Sequence, residues 1–328
     1  MNNFGYTNVT SAEEAISTLE RVKDSLLIAG GTDVVPLMKD DILQASALVD
    51  ISKWKAGHSI RVEADGLHIG ALASLGDIAA HEEVRRSYTA LTQACEMAAT
   101  PQLRNMGSIG GNLLQQTRCW YYRGPFDCWM KGGEKCYARK GENEYHSIFT
   151  TQPEVSPCVS AHPSDPAAAL LALGARVRYR TAAGEAEMPI EQLFALPDAE
   201  RRSYNTLPHG AIITEIVLPT PSPGARSIYL KAMSRAEWSF ALAGIAISLL
   251  LSVGHIEQAR IGMTGVSPIP IRAHEVEASL AGAEYGKIDH DELATQLTRD
   301  AQPLEHNAYK VQVLQALFKD ALRQVLGN

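Results

Sequence analysis

Arg104-Asn105-Met106-Gly107-Ser108-Ile109-Gly110-Gly111-Asn112 is a turn crowded with glycine, hydroxyl and amide groups, and the chain is organised around what surrounds it. Cys119, Cys128, Cys136 and Cys158 follow it, four of the five cysteines in 328 residues, and then His162-Pro163-Ser164-Asp165. Upstream, Ser25-Leu26-Leu27-Ile28 reads as a short buried strand that runs straight into Ala29-Gly30-Gly31-Thr32-Asp33, and residues 34–39 read as a helix. A strand ending in a Gly-Gly turn before a helix leaves backbone N–H groups pointing outward, a nest suited to phosphate. The glycines permit positive φ and close approach of a ligand. A plain turn is the bland alternative for one such loop, and the dinucleotide and P-loop fingerprints are both incomplete here. Two such loops in one domain would cradle the two halves of a pyrophosphate, with Ser108 and Asn112 as side-chain donors.

The cysteine segment has the spacing C-x8-C-x7-C-x21-C and is rich in Trp, Tyr, Gly and Lys without a sustained period. A long ordered loop inside a compact domain is usually functional. Four thiolates suit a [4Fe–4S] cluster. Zinc also takes four thiolates but normally in tight C-x2-4-C pairs, which are absent here, and unligated thiols are the third option. Trp120, Tyr121, Tyr122 and Trp129 would shield a cluster, or simply pack the loop. Cys95, among Leu91, Ala94 and Ala98, reads as a small core residue.

Around this centre, residues 11–22 read as an amphipathic helix with Ser11 and Glu14 as a capping box. Residues 47–51 and 67–71 read as strands, Ser74 with Asp77 as a cap, and residues 87–99 as one longer helix. Beyond the cysteines, residues 165–173 read as a helix, 175–179 as a strand, 189–194 as a short helix and 212–218 as a strand. Pro219-Thr220-Pro221-Ser222-Pro223-Gly224 marks the best boundary. Past it, residues 228–233, 240–252 and 256–264 read as strands, the last two as a hairpin, with helices over 293–297 and 307–326.

The net charge of −7 gives no footprint for nucleic acid. The longest apolar run, residues 240–253, is too short to span a bilayer. The first residues show neither a basic n-region nor an apolar h-region, and five cysteines without a signal argue for metal or cluster ligation over a disulfide framework. The expected compartment is the cytoplasm, with export inside a complex whose partner carries the signal as the alternative. His162 and His255 stand apart, and no catalytic residue is assigned.

Ala29-Gly30-Gly31-Thr32-Asp33, the glycine run at 104–112, His162-Pro163-Ser164-Asp165 and Tyr229-Leu230-Lys231-Ala232-Met233-Ser234-Arg235 together resemble the FAD-binding medium subunit of the xanthine dehydrogenase family of molybdenum hydroxylases. Most members lack the cysteines. Two groups with an extra [4Fe–4S] cluster in this loop are the 4-hydroxybenzoyl-CoA reductase beta subunit and the FAD subunit of bacterial molybdenum-dependent aldehyde oxidoreductase. The step of nine from Cys119 to Cys128 and the His-Pro-Ser-Asp sequence tilt toward the latter.

The resemblance implies an α+β fold: a two-part FAD-binding domain of the vanillyl-alcohol oxidase (PCMH) type over residues 1–222, then a C-terminal domain, 223–328, with a small antiparallel sheet and helices. It implies that Leu26, Leu27, Ile28, Ala29, Gly30, Gly31, Thr32, Asp33 and Val34 hold the FAD pyrophosphate, joined by Thr100, Ser108, Gly111 and Asn112. Asp165 would hydrogen-bond the cofactor, and Lys231 would lie near the isoalloxazine. Cys119, Cys128, Cys136 and Cys158 would hold the cluster. A large partner subunit would carry the molybdenum cofactor, a small one two [2Fe–2S] clusters, and a ferredoxin is a candidate external carrier. Electron transfer follows as the expected activity, with a self-sufficient flavin oxidase or a zinc-containing scaffold as alternatives.

Overall fold

The computed structural model describes residues 2–236 and 238–327. Three sheets carry the chain. The first is parallel: β1 (Gly5–Asn8), β2 (Ser25–Ile28) and β3 (Ala47–Asp50), in the order β1-β3-β2. Parallel neighbours need crossovers, supplied by the helices Ala12–Arg21 and Val34–Lys39. Ser11 caps the first of these, accepting from the Glu14 N–H. Glu14 reaches back to the Thr10 N–H at 2.7 Å, one residue before the cap, so the box is displaced.

The second sheet is antiparallel. Its strands are β4 (Ile60–Glu63), β5 (Gly66–Gly70), β6 (Arg176–Thr181), β7 (Gly184–Pro189) and β8 (Ile212–Pro219), ordered β4-β5-β8-β6-β7. β1, β4 and β7 escape a reading by apolar alternation. All three lie at sheet edges with mostly exposed or half-buried residues, so no buried face imprints a period on them.

The third sheet holds β9 (Ala225–Ala232), β10 (Ala243–Leu251), β11 (Ile256–Thr264) and β12 (Ile271–Arg272), ordered β12-β11-β10-β9 and antiparallel throughout. The long apolar run falls on β10. Helix Asp165–Ala172 and helix Tyr309–Leu326 both pack on this strand, which explains its near-continuous hydrophobicity. Helix Asp165–Ala172 is buried along its whole length, and a Cβ on Gly262 would stand 2.1 Å from the Ala168 carbonyl oxygen. That close approach seats the helix on β11 and ties the third sheet to the core beneath the second. Among the described residues no helix is long and apolar enough to cross a membrane.

Two expectations are refined. The helix expected over residues 87–99 spans Thr89–Met97, and a separate helix, Glu82–Ser87, precedes it across Tyr88 (φ −131°, ψ 54°). There the buried ring turns inward and its hydroxyl donates to the Pro219 carbonyl at 3.0 Å, a tertiary bond that overrides local propensity. The glycine run is not an irregular turn throughout: it forms helices Pro101–Met106 and Ile109–Leu113 about a junction at Gly107 and Ser108. The cysteine segment contains only single turns, at Trp120–Arg123, Trp129–Lys131 and Tyr137–Arg139.

Candidate functional site

β2 delivers the Gly-Gly turn at its C-terminal end, and the junction between the two short helices meets it face to face. A Cβ on Gly30 would lie 1.7 Å from the Met106 carbonyl oxygen, so only glycine permits this contact. Gly31 takes φ +69°. Together the loops floor a cleft of about 240 Å³ lined by Leu27, Ala29, Gly30, Gly31, Thr32, Asp33, Val34, Ser108, Gly111 and Asn112 among others. The backbone N–H groups of residues 30–33 donate to no protein acceptor among the described residues. The same holds for the Asn112 amide nitrogen, whose oxygen accepts from the Ser164 hydroxyl at 2.6 Å. Ser108 caps its helix by accepting from the Gly111 N–H at 3.3 Å, which leaves its own hydrogen to donate. A row of unpaired N–H donors beside apolar walls (Ile51, Leu72, Ile212, Ile213) is what the pyrophosphate and flanking groups of a dinucleotide require.

Asp33 lines this cleft, yet its carboxylate is committed to the protein. It accepts from the Gln116 N–H (2.8 Å), from Arg123 Nη2 (2.8 Å) and from Arg118. Asp33 thereby fastens the Gly-Gly loop to the start of the cysteine segment. Arg118 also lines a second cavity of about 450 Å³, with Cys119, Trp120, His146, His162 and Phe240 on its walls.

The four cysteines of that segment gather around shared packing. Cys119 packs with Cys128 about Leu37 and Tyr122, and with Cys136 about Tyr121 and Val159; Cys158 lies against Trp129 and Tyr204. Burial pushes the Cys119 thiol up to about 12 and that of Cys158 to about 11, and raises that of Cys128. The neighbouring Cys136 raises all three further. Backbone bonds fix two of these cysteines. The Cys119 carbonyl accepts from the N–H groups of Tyr122 and Arg123, and the Cys128 carbonyl from those of Lys131 and Gly133. Arg139 ties the far end, donating to the carbonyls of Thr151, Ser156 and Pro157 at 2.7–2.8 Å. Tyr121, Tyr122 and Trp129 are buried, whereas Trp120 is partly exposed.

Four thiols are a donor set that both zinc and an iron–sulfur cluster accept. Tetrahedral zinc, with bonds near 2.3 Å, holds its sulfurs about 3.8 Å apart. No three of these sulfurs lie within 4.8 Å of one another among the described residues. A cubane cluster binds each thiolate at a separate iron corner, so sulfurs that close are not required of it, and thiols are the donor type it takes.

Five of the expected cofactor residues do not line the cleft. Leu26 and Ile28 belong to β2 itself, and Thr100 caps helix Pro101–Met106 through the Leu103 N–H. Asp165 and Lys231 form a buried ion pair, Nζ to Oδ2 2.8 Å, and Tyr229 donates to the other carboxylate oxygen at 2.5 Å. Lys231 also donates to the Met97 carbonyl at 3.1 Å, so it is no solvated strand lysine. Burial pushes the Asp165 carboxyl up while Lys231 and Tyr229 pull it back. His162 is buried and neutral, burial lowering it to about 3, and His255 is half-buried with its ring on the Val253 carbonyl.

Sequence reasoning overlooked Arg118, Gln115 and the wall at residues 211–213. Ile212 and Ile213 look like any apolar strand start. The Arg118 signal, a cation placed directly between glycine loop and first cysteine, was present.

Residues 2–221 match the family model for the FAD binding domain in molybdopterin dehydrogenase, and residues 228–325 that for the CO dehydrogenase flavoprotein C-terminal domain. The aldehyde oxidoreductase FAD-binding subunit of Escherichia coli is 32% identical over 331 residues, covering 100% of this chain and 98% of the relative. The glyceraldehyde dehydrogenase medium chain of Sulfolobus acidocaldarius is 24% identical over 326 residues, covering 98% of both. Among solved structures, reconstituted CO dehydrogenase from Oligotropha carboxidovorans superposes with a TM-score of 0.78 at 20% identity, over 99% of this chain and 98% of that one. The chain belongs to the molybdenum hydroxylase family, as an FAD-binding medium subunit.

Proposed function

We propose that this chain carries, besides FAD, a [4Fe–4S] cluster on Cys119, Cys128, Cys136 and Cys158. In this reading it passes electrons between two [2Fe–2S] clusters on a small partner subunit and an external carrier. The observation that carries the reading is the gathering of four thiols, Cys128 and Cys158 buried and Cys119 and Cys136 half-buried, beside the flavin cleft, with Arg118 lining both cavities and Cys119 the second. The cofactors supply the redox chemistry, with flavin exchanging paired for single electrons. The protein's part is placement. Residues 30–33 offer N–H donors to the pyrophosphate, Asp33 locks the two loops together, and Tyr121, Tyr122 and Trp129 keep water from the sulfurs.

Substrate oxidation falls to the large partner subunit with the molybdenum cofactor. His162 is neutral and buried, and His255 sits on the Val253 carbonyl, so neither makes an acid/base pair for a self-sufficient oxidase. The likeness to the Escherichia coli subunit points the same way as His162-Pro163-Ser164-Asp165, toward an aldehyde-oxidising complex. Co-purification with large and small partners tests the assembly. Cys128→Ser should lower turnover with ferredoxin more than with a dye reacting at the flavin, and equal loss in both would count against a route through the cluster.

A further inference from the structure

His146 lies in the same segment as the cysteines and is not one of the four thiols, yet its ring is aimed at one. Its Nε2 stands 3.1 Å from Cys119 Sγ. Its Nδ1 is buried and has no partner. The ring is wedged edge-on against Trp120, with centroids 5.4 Å apart. On the opposite side, the Tyr204 hydroxyl lies 3.3 Å from Cys158 Sγ and 2.9 Å from Ser160 Oγ, and Ser160 Oγ is itself 3.3 Å from the same sulfur. All three of these side chains are buried. No comparable side-chain donor reaches Cys128 or Cys136 among the described residues.

The position of His146 is imposed from a distance. At the head of helix Tyr309–Leu326, Asn307 Nδ2 donates to the His146 carbonyl at 3.1 Å and to that of Ser147 at 3.0 Å. Lys310, fully buried, donates to the His146 carbonyl at 2.8 Å and to that of Gly265 at 2.6 Å. The His306 N–H donates to Asn143 Oδ1 at 3.0 Å. Three residues of the C-terminal part thus clamp the backbone on both sides of His146.

An iron-bound thiolate has no proton to give and can only accept. With Cys119 ligated, Nε2 of His146 must carry the hydrogen, and with Cys158 ligated, at least one hydroxyl of the hydrogen-bonded Tyr204–Ser160 pair must donate to sulfur. Such donors stabilise the more negative, reduced cluster, and hydrogen bonds to the sulfurs are among the factors that set its potential. We propose that His146 and Tyr204 are positioning residues that raise the reduction potential of the cluster through hydrogen bonds to Cys119 and Cys158. The inference rests on the cluster reading above and adds to it which corners are tuned. It also assigns the C-terminal helix a part in the tuning, through Asn307 and Lys310.

The test is a mediator titration of the intact complex, monitored by the paramagnetic signal of the reduced cluster, for the unaltered protein, His146→Leu, His146→Gln and Tyr204→Phe. Iron and flavin are assayed on each sample. At a fixed potential, the ratio of reduced to oxidised cluster should fall about tenfold in His146→Leu, equivalent to a midpoint about 59 mV more negative for one electron. Tyr204→Phe should shift in the same direction, and His146→Gln, which keeps a donor, should recover part of the shift. The flavin midpoint should not move. Full iron with an unmoved midpoint in both His146→Leu and Tyr204→Phe would overturn the assignment while leaving the cluster intact. Loss of cluster iron in every variant would make these residues structural and overturn it too. Unaltered complex without iron beyond that of the small subunit would instead refute the underlying cluster reading.

Discussion

Lys231→Met should expose how much of this protein rests on one buried charge pair. Lys231 and Asp165 have side chains only 1% and 4% exposed, so neither charge is relieved by water. Removing the ammonium leaves the carboxylate with the Tyr229 hydroxyl alone. An unpaired buried charge neutralises instead of persisting, and Asp165 in the variant should take up a proton. Holding a carboxyl of ordinary value near 3.9 protonated at pH 7 costs about 4 kcal/mol, at about 1.4 kcal/mol per pH unit. That agrees with the roughly 3–5 kcal/mol typical of breaking a buried pair.

The sign follows from proton counts. The folded variant holds a proton that the unfolded chain has released, so its stability relative to the unaltered protein falls as pH rises and recovers as pH falls toward the unfolded value. Urea unfolding followed by tryptophan fluorescence, between pH 8 and pH 5, reads this directly. Asp165→Asn combined with Lys231→Met removes both charges and should recover more than half of the loss. A penalty below about 1 kcal/mol at pH 7, or one that does not change with pH, would refute a desolvated pair.

Three further outcomes are expected. Gly30→Ala would drive a Cβ into the Met106 carbonyl oxygen, 1.7 Å away, so the purified variant should retain little flavin by absorbance; normal flavin content would contradict the closeness of the loops. Asp33→Ala unfastens Arg118, Arg123 and the Gln116 N–H together, and flavin and cluster iron should be lost in parallel, not singly. For His68, burial pulls the imidazole down, but Glu215 and Asp65, each 2.8 Å away, outweigh it and leave its value raised. Its ion pairs therefore stabilise fully below about pH 6.5 and fade as pH rises through the raised value, so the stability gap to His68→Gln should narrow between pH 6 and pH 8.

What the sequence could disclose depended on whether the signal was local. β2, the Gly-Gly turn and the glycine run at 104–112 each announce themselves within a few residues, and the cleft they form was legible from them. The pairing of Asp165 with Lys231 joins positions 66 residues apart, and nothing near either one announces it. Tyr88 breaks a helix for the sake of a carbonyl at position 219. His146 is an unremarked histidine in the sequence because its meaning comes from Asn307 and Lys310, at the start of a helix more than 150 residues away. Edge strands such as β4 and β7 bury too little to carry a period. Thr100 was read as part of the binding loop because it heads the glycine run, yet its hydroxyl is used as a cap.

The central claim is that one chain holds flavin and a four-iron cluster side by side. The most direct measurement is an anaerobic absorption spectrum of the purified complex, with iron, acid-labile sulfide and flavin assayed on the same sample. The account predicts flavin bands over a broad shoulder and about four iron atoms per FAD beyond those of the small subunit. Flavin with no iron beyond the small subunit's own would contradict it, leaving Cys119, Cys128, Cys136 and Cys158 as gathered thiols without a cluster.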